Sequence, residues 1–376
     1  MMGQRSGGGM RLEHYDLLVV GSGLFGSVVA HEAAQAGKSV LVVERRSQIG
    51  GNCYTERIEG IDVHVYGPHI FHTDDRSVWE YLGRFCDLRQ YETSVMANYH
   101  GELYNLPFNM NTFYQLWGCA TPAEAMREIE RQRIVCEVPE NLEEHALSIA
   151  GRDIYHKLIQ GYTEKRWGRP CSELPASVMR RIPFRFRFDN NFFNDVYQGI
   201  PEEGFTKIFE RMLAKCDVEL EIDYLADRDS LRRSADTVVF TGAIDEYFDY
   251  CFGPLEYRSL SYEHEVLDMP NYQGAAVVNY TDRDTPFMRV VEHKHFSRVD
   301  TASTVISREY TQEWSPGIEP YYPMEDETNR ARYERYRELS EGEDGVLFGG
   351  RLGEYRYYDM QETIASALRL SKEIIG

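Results

Sequence analysis

The sequence has no long hydrophobic run. Its longest apolar stretches, such as Leu17 to Val20 and Val238 to Phe240, are strand-sized, whereas a bilayer span needs about 20 apolar residues. Paired cysteines are lacking too. The seven, at 53, 86, 119, 136, 171, 216 and 251, show no C-x-x-C spacing, and an odd number in 376 residues argues against a disulfide framework and for the cytoplasm. Positive charge is scarce: 41 Lys and Arg face 61 Asp and Glu, a net charge of −20. That field repels nucleic acid and anionic lipid, so neither a nucleic-acid partner nor membrane insertion is expected. An anionic ligand has to be held by local arginines working against the global charge. Residues 1–11 are rich in Gly and Ser and have no apolar h-region; they read as a disordered leader, not a signal peptide. Internal repeats are absent.

What is present first is a glycine turn in the right setting. Tyr15 to Val20 is a short apolar strand, Gly21-x-Gly23-x-x-Gly26 follows, and a helix is expected over about Leu24 to Ala36, with Gly37 at its left-handed C-terminal position. Ser39 to Val43 is a second apolar strand that ends at Glu44. In such a βαβ unit the first glycine makes the turn, the second lets backbone approach a diphosphate, and the third lets helix pack on strand. The diphosphate then meets the N–H groups of Leu24, Phe25 and Gly26 at the helix start. Glu44 accepts from a ribose hydroxyl and repels a 2′-phosphate, which disfavours NADP. FAD is preferred to NAD because Arg45-Arg46 and then Gly50-Gly51-Asn52 extend the unit as in FAD-binding oxidoreductases. Gly349-Gly350-Arg351 also resembles the second FAD contact of that superfamily.

Helical texture runs from about Asn111 to Gln160, with Thr121-Pro122-Ala123-Glu124 as an N-cap, a first-turn proline and an acidic first turn. Short branched and aromatic runs at Ala275 to Tyr280, Arg289 to Glu292 and Ser303 to Ser307 read as strands. The first texture returns at Phe205 to Leu213 (helix), Val218 to Ile222, Thr237 to Phe240 and Val346 to Phe348 (strands), and Gln361 to Ile374 (closing helix). The fold class expected is α/β: a discontinuous Rossmann-like FAD-binding domain with a helical insertion domain and an antiparallel β-sheet domain. The expected boundaries are 12–90, 202–250 and 343–376 for FAD, 111–175 for the helices, and 91–110, 176–201 and 251–342 for the sheet and substrate.

A dinucleotide fold says little about reaction. Five further segments are more specific: Tyr66-Gly67-Pro68-His69-Ile70-Phe71-His72-Thr73, Gly161-Tyr162-Thr163-Glu164-Lys165-Arg166-Trp167-Gly168, Glu292-His293-Lys294, Glu319-Pro320-Tyr321-Tyr322-Pro323 and Arg351-Leu352-Gly353-Glu354-Tyr355-Arg356-Tyr357. Together, and in this order, they resemble bacterial UDP-galactopyranose mutase, and the resemblance covers nearly everything from Tyr15 onward. It implies a flavin-dependent isomerase that interconverts UDP-galactopyranose and UDP-galactofuranose, the precursor of galactofuranose in cell-surface glycans, with no net redox change. In that family N5 of reduced FAD attacks the anomeric carbon, UDP leaves, and the ring opens through a flavin iminium and recloses. The implied partners are UDP-galactose, an electron donor for the flavin, and further copies of the chain.

The resemblance also implies residue roles. Arg181 matches a loop arginine that closes on the substrate diphosphate and Arg289 a second diphosphate arginine; paired guanidinium donors suit phosphate oxygens and the charge building on leaving UDP. A solvated surface charge is the bland alternative for Arg181, beside Arg180, Arg185 and Arg187. Tyr162, Trp167, Tyr322, Tyr357 and Asp359 match substrate residues, with packing the competing role for Trp167. His69 and His72 match histidines beside the flavin, and His69 is expected at the reacting atoms or, more plainly, as a satisfied structural histidine. No metal is expected, because no third ligand accompanies the two. Arg351 matches an arginine that holds FAD, and Tyr357 is expected on the cofactor side as well. At the uracil-stacking position, often tyrosine in the family, this chain has Phe192, which keeps the stacking and loses a hydroxyl. Two rival readings share the FAD signatures: an amine-oxidase-type flavin oxidase or desaturase, and a nucleotide-sugar sensor without turnover.

Overall fold

The computed structural model describes residues 14–176 and 184–376. The expected leader and Arg181 lie outside them. The chain groups into two compact units, residues 1–51, 209–253 and 333–376, and residues 52–208 and 254–332, where the sequence reading drew three domains.

The first unit is built on a parallel five-stranded sheet. Its order is Asp217–Leu220, Val40–Glu44, Tyr15–Val20, Ala235–Phe240, Val346–Phe348, with Leu17 opposite Val40 on one side and Thr237 on the other. Leu17, Leu18, Val19, Val42, Val238 and Val239 are fully or almost fully buried, which is why these strands read as unbroken apolar runs. The helix Leu24–Gln35 crosses over between the first two strands, and the closing helix Met360–Ile375 packs beside it. Gly37 has φ +89°, the left-handed conformation expected of it after the helix.

The second unit carries a seven-stranded sheet in the order Tyr322–Pro323, Tyr257–Leu267, Thr304–Glu313, Arg289–Glu292, Val277–Tyr280, Val95–Tyr99, Glu102–Leu106. It is antiparallel as expected except where Val277–Tyr280 meets Val95–Tyr99 in parallel. Helices Met110–Trp117, Pro122–Gln132 and Leu142–Ala150 contribute Phe113, Ala125, Ile129 and Ala146 to the core shared with Val277 and Val291. Thr121 caps the second helix in a reciprocal box with Glu124, so two helix-start N–H groups gain acceptors. A π-helical turn, Tyr155–Gln160, then leads into the short helix Gly161–Trp167. Gly161 is required there, because a Cβ would overlap the Thr281 carbonyl oxygen. Helix and hairpin backbone are thereby brought into contact.

Candidate active site

In the first unit Gly21 and Gly26 have the tight-turn and close-packing geometry expected of them. Gly21 has φ +103°, and a Cβ on Gly26 would overlap the Gly21 carbonyl oxygen and press on Val19. Gly51 approaches Gly23 so closely that a Cβ on it would lie 2.9 Å from the Gly23 Cα. No side chain caps the helix that starts at Leu24. Leu24 and Phe25 bury their side chains, and what they can offer a ligand is their N–H groups at the positive end of the helix. The Phe25 ring fills the space over Gly349 and Gly350, where a Cβ on Gly349 would strike it. The C-terminal glycine pair thus packs against the turn.

Glu44 is buried and already engaged. One carboxylate oxygen accepts from the Ser22 N–H at 2.9 Å and the Ser22 hydroxyl at 2.7 Å, the other from the Arg46 N–H at 3.0 Å. A carboxylate oxygen can accept twice, so the second oxygen retains room for a ribose hydroxyl. Arg45 is exposed and Asn52 half-buried. Arg351 donates to the Tyr358 carbonyl and lies 4.8 Å from the Tyr357 ring. Asp359 caps the closing helix in a box with Glu362, a structural duty that the sequence reading did not assign to it. The cradle of crossing glycines, uncapped helix start and buried acid fits a dinucleotide such as FAD.

In the second unit Arg289 is the focus. It is 17% exposed and pairs at 2.9 Å with Glu309, itself 1% exposed. Burial is the largest single influence and opposes the charge, but Glu309 and the tyrosines around it together hold the guanidinium well above its ordinary pKa. Tyr162, Tyr262 and Tyr322 face the same group, and the Arg289 Nε–H is buried without a partner among the described residues. Tyr262, half-buried beside Glu309, has its phenol pushed well above the usual value by desolvation and by that carboxylate, and stays a neutral donor. Glu309 and Tyr262 carry no sequence signal of their own; they reach Arg289 only through strand pairing, which sets Arg289 opposite Glu309.

Tyr162 and Trp167 share a short helix whose docking is over-determined. The Lys165 ammonium donates to the carbonyls of Tyr280, Thr285 and Phe287 at 2.8, 3.1 and 3.1 Å. Burial pulls it down to about 8 while the Asp282 carboxylate works the other way. Trp167 packs on the core and lines a cavity of about 290 Å³ with Arg169, Arg258 and Trp314. Tyr322 lies under the Arg166 guanidinium, 4.9 Å from it. Phe192 packs against the core with its N–H on the Thr93 carbonyl at 2.7 Å.

The two histidines of the first specific segment part company. His72 meets Asp195 at 3.0 Å and stacks on Phe193 at 3.8 Å. His69 turns its Nδ1 to the Gly67 carbonyl at 2.8 Å. Gly67, at φ +99°, sits so close to Tyr262 and Glu309 that a Cβ would come 2.9 Å from the tyrosine oxygen. The histidine turn therefore adjoins the Arg289 cluster. Among the described residues the grouping with metal-ligand spacing is His100, Asp282 and Asp284, and it contains neither His69 nor His72.

Fold and site together define a Rossmann-like dinucleotide-binding enzyme whose second unit presents a buried arginine among tyrosines. A family model described as UDP-galactopyranose mutase matches residues 157–357, and one described as an NAD(P)-binding Rossmann-like domain matches residues 19–85. A probable UDP-galactopyranose mutase of Klebsiella pneumoniae is 37% identical over 97% of this chain and 96% of its own. A dTDP-fucopyranose mutase of Escherichia coli is also 37% identical, over 95% of this chain and 97% of its own. A crystal structure of reduced UDP-galactopyranose mutase shares the fold at 15% identity, with a TM-score of 0.73 and coverage of 96% of both chains. The chain belongs to the UDP-galactopyranose mutase family, and it is an enzyme of the isomerase class.

Proposed function

We propose that the chain interconverts UDP-galactopyranose and UDP-galactofuranose with FAD bound in the first unit. The observation that carries this is Arg289: a guanidinium held charged by a buried carboxylate, with an unused Nε–H and three tyrosines facing it, in a protein whose net charge of −20 otherwise repels anions. Ring contraction exchanges O5 for O4 at the anomeric carbon, so the diphosphate must leave that carbon and return to it. When bound in its reduced form, FAD supplies a nucleophilic nitrogen for the same carbon. The chain's own part is to hold the diphosphate and spread its growing charge over Arg289 and, from outside the described residues, Arg181. Tyr162 and Tyr322 supply phenol donors, Trp167 and Phe192 flat surfaces for base and sugar, and Tyr357 and Asp359 complete the substrate contacts. Glu44, Arg45, Gly51, Asn52 and Arg351 hold the cofactor, and His69 serves the reacting atoms. The partners proposed are an electron donor and further copies of the chain, in the cytoplasm. No helix among the described residues is long and apolar enough to cross a membrane.

A second reading has a specific observation behind it, the dTDP-fucopyranose mutase of equal identity. That substrate differs in base, ribose and the sugar 6-position while keeping the diphosphate that Arg289 would hold. One experiment separates the two. The purified protein is reduced with dithionite, given UDP-galactofuranose or dTDP-fucofuranose, and its products are resolved by chromatography. Higher kcat/KM with the uridine substrate supports the proposal; preference for the thymidine substrate transfers the site to the second reading.

A further inference from the structure

The turn that carries His69 is held from behind by a chain of hydrogen bonds through other histidines. The His69 N–H donates to His64 Nδ1 at 3.0 Å, and the His64 N–H donates to His293 Nδ1 at 3.2 Å. His293 Nε2 meets the Ser307 hydroxyl at 2.6 Å, and the same hydroxyl meets His264 Nδ1 at 2.6 Å. His64 and His293 are buried, at 2% and 0% exposure, and Ser307 is at 1%.

The direction of each bond from His69 to Ser307 is then determined. A backbone N–H can only donate, so both Nδ1 atoms are acceptors and neutral His64 and His293 carry their protons on Nε2. His293 therefore donates from Nε2 to the Ser307 hydroxyl oxygen, which also meets His264 Nδ1. Burial agrees with neutral rings, holding the His64 imidazole down to about 3 and that of His293 well below its usual value. At the working end of this chain the Gly67 carbonyl can only accept, so His69 donates to it from Nδ1.

We propose that His64, His293 and Ser307 are positioning residues that fix the His69 turn against the Arg289 cluster and so set the orientation of the His69 ring toward the ligand. This rests on the reading that His69 takes part in the reaction. The strands that carry Ser307 and Arg289 are already paired by their own backbone ladder. The product of the histidine chain is the orientation of one ring.

The test uses FAD-loaded full-length protein labelled with ¹⁵N-histidine. Nitrogen–proton correlation at pH 7 should show Nε2–H for His64 and His293, and Nδ1–H for His69. His64→Leu removes the acceptor for the His69 N–H, whereas His64→Asn keeps one near the same place. Leu is expected to lower kcat by ten- to hundredfold, on the order of what a misplaced group costs, with KM for UDP-galactofuranose little changed and the His69 Nδ1–H signal lost; Asn should restore both. Ser307→Ala, which removes a single oxygen, stands in if His64→Leu does not fold. Wild-type kcat and an unchanged His69 signal in Ser307→Ala and His64→Leu, whatever happens to stability, overturn the proposal. Wild-type kcat in His69→Ala overturns the reading beneath it, and the nitrogen spectra then show which of the two has failed.

Discussion

Glu292 offers a quantitative check on the second unit. It is fully buried and accepts from three donors, the Tyr272 and Gln273 N–H groups and the Thr304 hydroxyl, each at 2.8 Å, with His295 Nε2 standing 3.1 Å away. Burial alone would raise its pKa, but these donors outweigh burial and push it down to about 2. Against an ordinary glutamate at roughly 4.3, the difference corresponds to about 3 kcal/mol of folding stability. Because the folded value is the lower one, this stabilisation is complete above the unfolded pKa and is lost as pH falls through the folded value. Glu292→Gln sets an amide NH₂ against a backbone N–H and removes the charge. It should cost about 3 kcal/mol at pH 7, and the deficit should shrink as pH drops below about 4.3. Urea denaturation of both proteins from pH 7 down to the lowest pH at which each refolds measures it. A deficit that stays constant across that range refutes the reasoning, since the loss would then be one of packing and not of charge.

Gly26→Ala forces a Cβ into the Gly21 carbonyl oxygen, so the protein should purify without flavin absorbance or fail to fold; a yellow, stable protein contradicts the assigned turn. Arg289→Lys keeps a positive charge but loses the fork and the buried Nε–H. Turnover is expected to fall by about 10² to 10³, the scale of a lost transition-state donor, with flavin loading unchanged; near-normal kcat would remove Arg289 from the site. For Asp359 two variants divide its duties. Asn preserves the cap, while Ala should cost about 1 kcal/mol of stability, and loss of turnover in the stable Asn variant would show a substrate role beyond capping.

The parts legible in the sequence are those whose signal is local. Gly21 and Gly26 sit where backbone geometry admits little else, Thr121 to Glu124 is a complete capping box, and the strand Arg289–Glu292 was readable to the residue. Two long elements were not anticipated. The strand Tyr257–Leu267 leaves Ser261, Glu263, His264 and Glu265 exposed, so its second half shows no apolar alternation. The helix Glu327–Ser340 is charged nearly all round, with Asn329 and Tyr336 fully buried. The site shows the same division. Its arginine and tyrosines are conspicuous residue types in distinctive segments, but Glu309, Tyr262 and the Ser307 hydroxyl that joins two histidines are ordinary residues. Only the sheet register makes them partners.

Isomerisation by a flavoprotein leaves no net redox change. The most direct measurement is an anaerobic one: reduce the FAD once with a stoichiometric amount of dithionite, add a large excess of UDP-galactofuranose, and follow sugar and flavin together. Many molecules of UDP-galactopyranose should form per flavin, with the flavin spectrum still that of the reduced form at the end. Product limited to about one per flavin, or formed only as the flavin is oxidised, would contradict isomerisation.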